Sequence, residues 1–367
     1  MKSVLTVIGA RPQFVKAAVV SSALSKIGIR EKIVHTGQHY DSSLSNIFFQ
    51  ELNIPEPTYH LGVGSGSHGQ QTANMLVEIE KIVLEVKPDW VLVYGDTNST
   101  IAGALAAAKH NIPIAHVEAG LRSFNRRMPE EINRITTDHL SSLLLCPTES
   151  AMTHLKNEGI TNSIEKSGFK RKVELVGDVM YDATIVFGNI AEQRSKILQS
   201  QNLEKNKYIL VTIHRAENTD DRNRLRIIVD ALSLLGTKKN VIWPVHPRTR
   251  KSLEECAYDK NLTQSKVRLI DPVGYFDMLI LEKNAECIVT DSGGVQKEAF
   301  FAKVPCITLR DETEWVELVA SGWNSLVPPT DSLHIADAAM GAKPGRNNIQ
   351  PYGNGCASEV IATLINT

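Results

Sequence analysis

Carboxylates, arginines and a histidine gather in this chain where apolar runs give way to helical patterns. In "WVLVYGDTNST", Asp96 closes an apolar run, and Thr97 to Thr100 can cap a following helix. In "AHVEAG", Glu118 takes the same place, and Gly120 and Leu121 after it make a capping role less natural. In "PEEINR", Pro129 opens a helix whose Glu130 and Arg134 are four apart and share a face. Each acid alone has a plain structural use, as a cap or as the dipole partner of a helix start. Three at successive strand or helix starts point instead to crowded carboxylates, the means by which a site obtains a general acid and a general base.

Cations and glycines mark sites for anions. "VIGARPQFVK" places Arg11 in a turn, Pro12 in the first helical turn and Lys16 one turn further on, which suits an anion or merely a solvated helix start. "YILVTIHRAEN" ends its apolar run at His214 with Arg215 beside it, placed to act as acid, base or phosphate contact. "NVIWPVHPRTR" offers His246, Arg248 and Arg250, a weaker signal that a simple turn also explains. The strongest motif is "IVTDSGGVQKEAFFAKVPCITL". After Thr290 and Asp291, the turn Ser292-Gly293-Gly294 leads into a helix whose exposed N–H groups suit a diphosphate, and Glu298 one turn on could accept from both hydroxyls of a ribose.

Two other signals carry less. Gly64 to Gly69 fit G-x-G-x-x-G by letter, but "PEPTYHLGV" before them is no buried first strand, so a loop is expected and not a dinucleotide site. His35 and His39 straddle a strand end without further ligands, so no metal site is expected, and no motif persuasively points to an organic cofactor.

The elements that must position these residues alternate. "SVLTVIG", "EKIVHTG", "WVLVYGD", "PIAHVEAG", "LLLCPT" and "VELVGD" are near-continuous apolar runs of strand length, separated by helical patterns such as "NSTIAGALAAAKH". A second series follows from residue 208: "YILVTIH", "NVIWPVH", "VRLIDPV", "ECIVTDS", "PCITLRD" and "NSLVP". This is the signature of two doubly wound α/β domains, in which ligands bind beyond the carboxyl ends of parallel strands. The boundary is placed at 172/173, within a joining region of roughly 170–205. With 367 residues and 42 % hydrophobic content there is material for two cores. Lys plus Arg number 40 and Asp plus Glu 41, which argues against a general nucleic-acid or membrane-surface binder. The scattered Cys146, Cys256, Cys287, Cys306 and Cys356 suggest buried free thiols, and no run approaches a membrane span; a cytoplasmic, soluble protein is expected.

In this order, "IGARPQFVK", "YGDTNST", "HVEAGLRS", "PEEINR", "TIHRAEN" and "TDSGGVQKEA" closely resemble the non-hydrolysing UDP-N-acetylglucosamine 2-epimerases, over almost the whole chain. The resemblance implies a glycosyltransferase-B-like pair of Rossmann-like domains around a cleft, in a homodimer, with residues 350–367 crossing back to the first domain. It implies inversion at carbon 2 of a UDP-sugar by anti elimination and re-addition of UDP, with neither NAD nor metal. Asp96, Glu118, Glu130 and His214 match the family's essential acids and histidine. Arg11, Lys16 and Arg134 match its basic residues, and Ser292, Gly293, Gly294 and Glu298 its nucleotide site. Two departures bear on the substrate: Trp315 stands where the N-acetylglucosamine enzymes usually carry an arginine, and Phe124-Asn125-Arg126-Arg127 forms a different loop, whose arginines suit a sugar bearing a carboxylate. The pattern looks most like the branch acting on UDP-2,3-diacetamido-2,3-dideoxyglucuronate, which makes the mannuronate epimer for surface polysaccharide. UDP-N-acetylglucosamine is the alternative substrate, and a retaining glycosyltransferase the rival activity.

Overall fold

The computed structural model describes residues 1–38, 54–164, 168–258, 262, 265–347 and 349–367, with the side chain of Arg11 outside the description. They form two compact units, Met1–Val186 with Gln350–Thr367, and Phe187–Ile349.

The first unit holds an eight-stranded sheet: β1 (Ser3–Ile8), β2 (Arg30–His35), β3 (Tyr59–His60), β4 (Trp90–Tyr94), β5 (Ile114–Val117), β6 (Leu143–Cys146), β7 (Ser163–Ile164) and β8 (Lys170–Leu175). Its order is β3-β2-β1-β4-β5-β6-β8-β7, parallel except where β7 meets β8. Helices cover both faces, which is why β1, β4, β5 and β6 are apolar at nearly every position and buried throughout their central residues. The second unit holds β9 (Tyr208–Thr212), β10 (Asn240–Pro244), β11 (Val267–Ile270), β12 (Cys287–Thr290), β13 (Cys306–Thr308) and β14 (Asn324–Leu326), in the order β11-β10-β9-β12-β13-β14 and all parallel. Every apolar run quoted above contains strand residues.

Both sheets carry the same reversal of strand order, between β1 and β4 and between β9 and β12. Loops leaving such neighbouring strands diverge to opposite faces and open a crevice at the carboxyl edge. Asp96 follows β4, and His214 and Asp291 follow β9 and β12.

The division between units falls at 186/187 instead of 172/173, because β8 hydrogen-bonds to β6 and completes the first sheet. The helix Val179–Arg194 then runs through the division. Residues 350–367 return to the first unit, where the helix Ala357–Asn366 packs on Arg11–Lys26. Asp182 holds it there, accepting from Ala357 N at 3.2 Å and from Ser358 N and Oγ at 2.7 Å each. Cys146, Cys287 and Cys306 are buried free thiols, whereas Cys256 is half-buried and Cys356 exposed. No described helix is long and apolar enough to cross a membrane.

Candidate active site

In the first unit the carboxyl edge carries two ion pairs. After β4 the chain turns through Gly95 at φ 64°. The cap of the helix Asn98–Lys109 is Thr97, whose side chain accepts from Thr100 N, so Asp96 is not needed for capping. Instead Asp96 Oδ2 accepts from Arg134 Nη2, with its side chain 28 % exposed, and Asn133 Nδ2 holds the Asp96 carbonyl at 2.9 Å. After β5, Glu118 occupies the left-handed region at φ 68°, an unfavourable conformation for a non-glycine residue. Its carboxylate is 7 % exposed and pairs with Lys16 from the helix Arg11–Lys26. A Cβ on Gly95 would lie 3.3 Å from Glu118 Oε2 and 3.9 Å from Lys16 Nζ, so a glycine here serves both the turn and the pair.

Buried polar groups brace this edge. Gln13 accepts from Gly9 N at 2.8 Å and Ala10 N at 3.1 Å, and donates to the Tyr94 carbonyl at 2.8 Å, tying the loop after β1 to the end of β4. His116 on β5 faces two acceptors, the Gly95 carbonyl at 2.7 Å and Asp138 Oδ1 at 2.8 Å. Asp138 also accepts from Gly120 N at 3.1 Å and Arg122 Nη1 at 2.7 Å, while Arg122 makes a two-pronged pair with Glu158 at 2.7 Å per bond. Burial alone would raise the Asp138 carboxyl; the hydrogen bond and charge of His116, then Arg122, outweigh it and hold it below its usual 3.8. Gly120 is required at its place, with φ 80° and a Cβ that would meet the Ala151 carbonyl at 2.4 Å.

Glu130, four residues before Arg134, is exposed; besides Asp96, it is buried Glu131 that pairs with Arg134, at 2.7 Å. A three-residue spacing serves a helix as well as four. Arg126 and Arg127 are exposed in the loop before this helix. His35, the other residue weighed for a metal, is buried and stacked on Phe14 at 5.1 Å; burial and then His60 lower it to about 4. His39 lies outside the described residues, and among the described residues no cluster of potential metal ligands occurs.

In the second unit Asp291, fully buried, organises the carboxyl edge. It accepts from His214 N at 3.1 Å and 3.2 Å, from Arg215 N at 3.0 Å and from Asn218 Nδ2 at 3.1 Å. His214 Nδ1 lies 3.5 Å from Asp291 Oδ1, and its side chain is 45 % exposed. Ser292 caps the helix Gly293–Phe301 through Val295 N. A Cβ on Gly294 would sit 3.9 Å from Ser292 Oγ and 4.0 Å from Glu298 Oε2, so three of the four residues named for a nucleotide lie together. Trp315 is buried; its indole N–H donates to the Gly293 carbonyl at 2.9 Å, and Lys297 Nζ lies 4.2 Å from its ring centroid. Glu314 beside it pairs with buried Arg310 at 2.9 Å. His246 caps the helix Pro247–Glu255, and Arg248 and Arg250 pair with Asp220 and Asp271 at the surface.

Residues 22–366 match the family model described as UDP-N-acetylglucosamine 2-epimerase. The chain belongs to this family. Among epimerase relatives, the UDP-2,3-diacetamido-2,3-dideoxy-D-glucuronate 2-epimerase of Pseudomonas aeruginosa is 49 % identical over 99 % of both chains. The UDP-N-acetylglucosamine 2-epimerase of Methanocaldococcus jannaschii is 46 % identical over 98 % of this chain and 97 % of its own. The crystal structure of the M. jannaschii UDP-GlcNAc 2-epimerase in complex with UDP-GlcNAc and UDP superposes with a TM-score of 0.88, covering 100 % of this chain and 99 % of that one.

For this epimerase-family chain, sequence reasoning overlooked Gln13, Glu131, Asp138 and Asp291 as site-forming residues. Only Asp291 carried a local signal, its place between a buried strand and a Gly-Gly turn.

Proposed function

We propose that the chain is a non-hydrolysing UDP-sugar 2-epimerase, an isomerase acting on UDP-2,3-diacetamido-2,3-dideoxyglucuronate and giving the mannuronate epimer for surface polysaccharide. The observation that carries the reading is the pair of cation-held carboxylates, Asp96 with Arg134 and Glu118 with Lys16, at the ends of adjacent parallel strands.

Each unit offers groups suited to a part of this chemistry. In the second, the Ser292–Gly294 turn, its capped helix start and Glu298 serve the diphosphate and ribose, with His214 and Arg215 at the neighbouring loop. In the first, the carboxylates serve carbon 2. The bond from carbon 1 to the diphosphate oxygen breaks, and UDP leaves with the electron pair. A carboxylate takes the carbon-2 proton, and the electrons of that C–H bond become the second bond between carbons 1 and 2. Return of a proton to the other face, with re-addition of UDP to carbon 1, yields the epimer. Carbon 2 has no adjacent carbonyl, so departure of UDP is what makes its proton removable. Anionic acceptors are the right groups for that step, and Lys16 and Arg134 keep Glu118 and Asp96 supplied with cationic partners. Exposed Glu130 is the third acid of the set, and Arg11 joins the cations.

Arg126, Arg127 and the substitution at Trp315 favour the uronate over UDP-N-acetylglucosamine, which is the second reading. A cytoplasmic homodimer fits a nucleotide-sugar enzyme. The test is NMR of products after incubation with each UDP-sugar in heavy water and no acceptor. Epimer carrying deuterium at carbon 2 is expected, faster from the uronate. Free sugar plus UDP would indicate hydrolysis, and no turnover without an acceptor would favour a glycosyltransferase.

A further inference from the structure

Glu131 is 1 % exposed, although glutamates at helix starts are ordinarily solvated. Its carboxylate is saturated by two different parts of the chain. Oε2 accepts from Arg134 Nη1 at 2.7 Å, from Ser123 N at 3.0 Å and from Ser123 Oγ at 3.1 Å; Oε1 accepts from Phe124 N at 3.0 Å. On one side, therefore, it grips the guanidinium whose other nitrogen donates to Asp96. A guanidinium is planar and rigid, so anchoring Nη1 sets the direction in which Nη2 points. On the other side it pins the loop at Phe124, which sits at φ 57° and needs compensation to stay there. From that point Asn125 Oδ1 accepts from Arg127 N at 3.1 Å and the Asn125 carbonyl from Met128 N at 3.0 Å, so the turn presenting Arg126 and Arg127 starts from the Glu131 clamp.

We propose that Glu131 is the positioning residue of this site: one buried carboxylate that aims Asp96 through Arg134 and sets the arginine-bearing 123–127 loop. The inference rests on the epimerase reading above and deepens it. Glu131 touches no substrate in this role. A helix-start acid acting only on stability would be replaceable wherever the fold survived; a clamp would not, because its two oxygens serve partners in different directions. A glutamine in its place would keep the shape and offer one acceptor oxygen without charge, while an aspartate would keep the charge and lose reach.

The experiment compares Glu131→Gln, Glu131→Asp, Arg134→Gln and the double variant Glu131→Gln/Arg134→Gln with the wild type, in the full chain. It follows turnover of the UDP-sugar by NMR and folding by circular dichroism. Misplacing a reacting group by an ångström can cost about 100-fold, and a loss of kcat of that order is expected in both Glu131 variants. In Glu131→Gln kcat should fall more than KM rises, because the misaimed acid acts in the chemical step while the contacts proposed for the diphosphate and ribose are left untouched. Because the Arg134 arm is shared, the double variant should be slower than Arg134→Gln by less than the factor that Glu131→Gln costs alone, the remainder coming from the 123–127 loop. Full kcat in a folded Glu131→Asp protein, or losses that multiply in the double variant, would overturn the proposal; should Glu131→Gln not fold, Glu131→Asp decides. A wild type inactive on every UDP-sugar would sink the epimerase reading instead, a separate result.

Discussion

At the scale of single residues, the charged groups at each carboxyl edge are held by partners from their own unit. Lys16 and Arg134 each hold an acid, and Asp291 collects the amides of His214 and Arg215. Groups held this way keep their aim at the cost of folding stability, so their removal should damage catalysis more than the fold. Asp96→Asn, Glu118→Gln and His214→Asn are each expected to lower kcat by about 10²-fold or more, with thermal unfolding within a few degrees of the wild type. Wild-type turnover in these variants, measured by carbon-2 deuterium incorporation, would remove those residues from the mechanism.

At the scale of elements, the important fact is that strand ends were fixed by pieces distant in sequence. Asp138, from the helix Pro129–Leu140, bonds His116 on β5, Gly120 in the loop beyond it, and Arg122, which continues to Glu158. Breaking such a buried pair costs about 3–5 kcal/mol, and Asp138→Asn should lower the unfolding free energy by that order at pH 7. The Asp138 pKa is depressed in the fold, so its stabilisation is fully present above 3.8 and is lost as pH falls through the folded value. The gap between variant and wild type in denaturant titrations should accordingly narrow below pH 3.8 and vanish in stronger acid. The strands, the acids at their ends and the Gly-Gly turn were legible because local pattern sets them: unbroken apolar runs, then a polar residue and a turn. Gln13, Glu131 and Asp138 were not, because each acts on a partner that only the folded sheet brings near, and none interrupts a periodic pattern. Glu130 was legible as an acid on a helix face, but burial, which spacing does not report, chose Glu131 for Arg134.

For the molecule as a whole, buried acids are held in two different ways. The buried acid Asp138 of the first unit is paired with Arg122 and hydrogen-bonded to His116. In the second, Glu282 on the helix Tyr275–Lys283 is 1 % exposed, its Oε1 has no hydrogen-bond partner, and burial followed by Glu298 raises it well above its usual 4.5. A raised carboxyl contributes stability that is present below 4.5 and lost as pH rises through the folded value. Glu282→Gln should therefore unfold at nearly the wild-type temperature at pH 4.5 and at a higher one at pH 8, each kcal/mol recovered adding about 2–4 °C. Calorimetry at the two pH values checks this; an equal shift at both would mean that charge is not the cause.

The return of residues 350–367 to the first unit makes that unit discontinuous, whereas Phe187–Ile349 is a single stretch. During synthesis the nascent second unit has all its strands before the helix Ala357–Asn366 leaves the ribosome, while the first still lacks the cover for Arg11–Lys26. The unit that begins the chain therefore cannot form all its native contacts, the Asp182 latch among them, until residues 350–367 have been made.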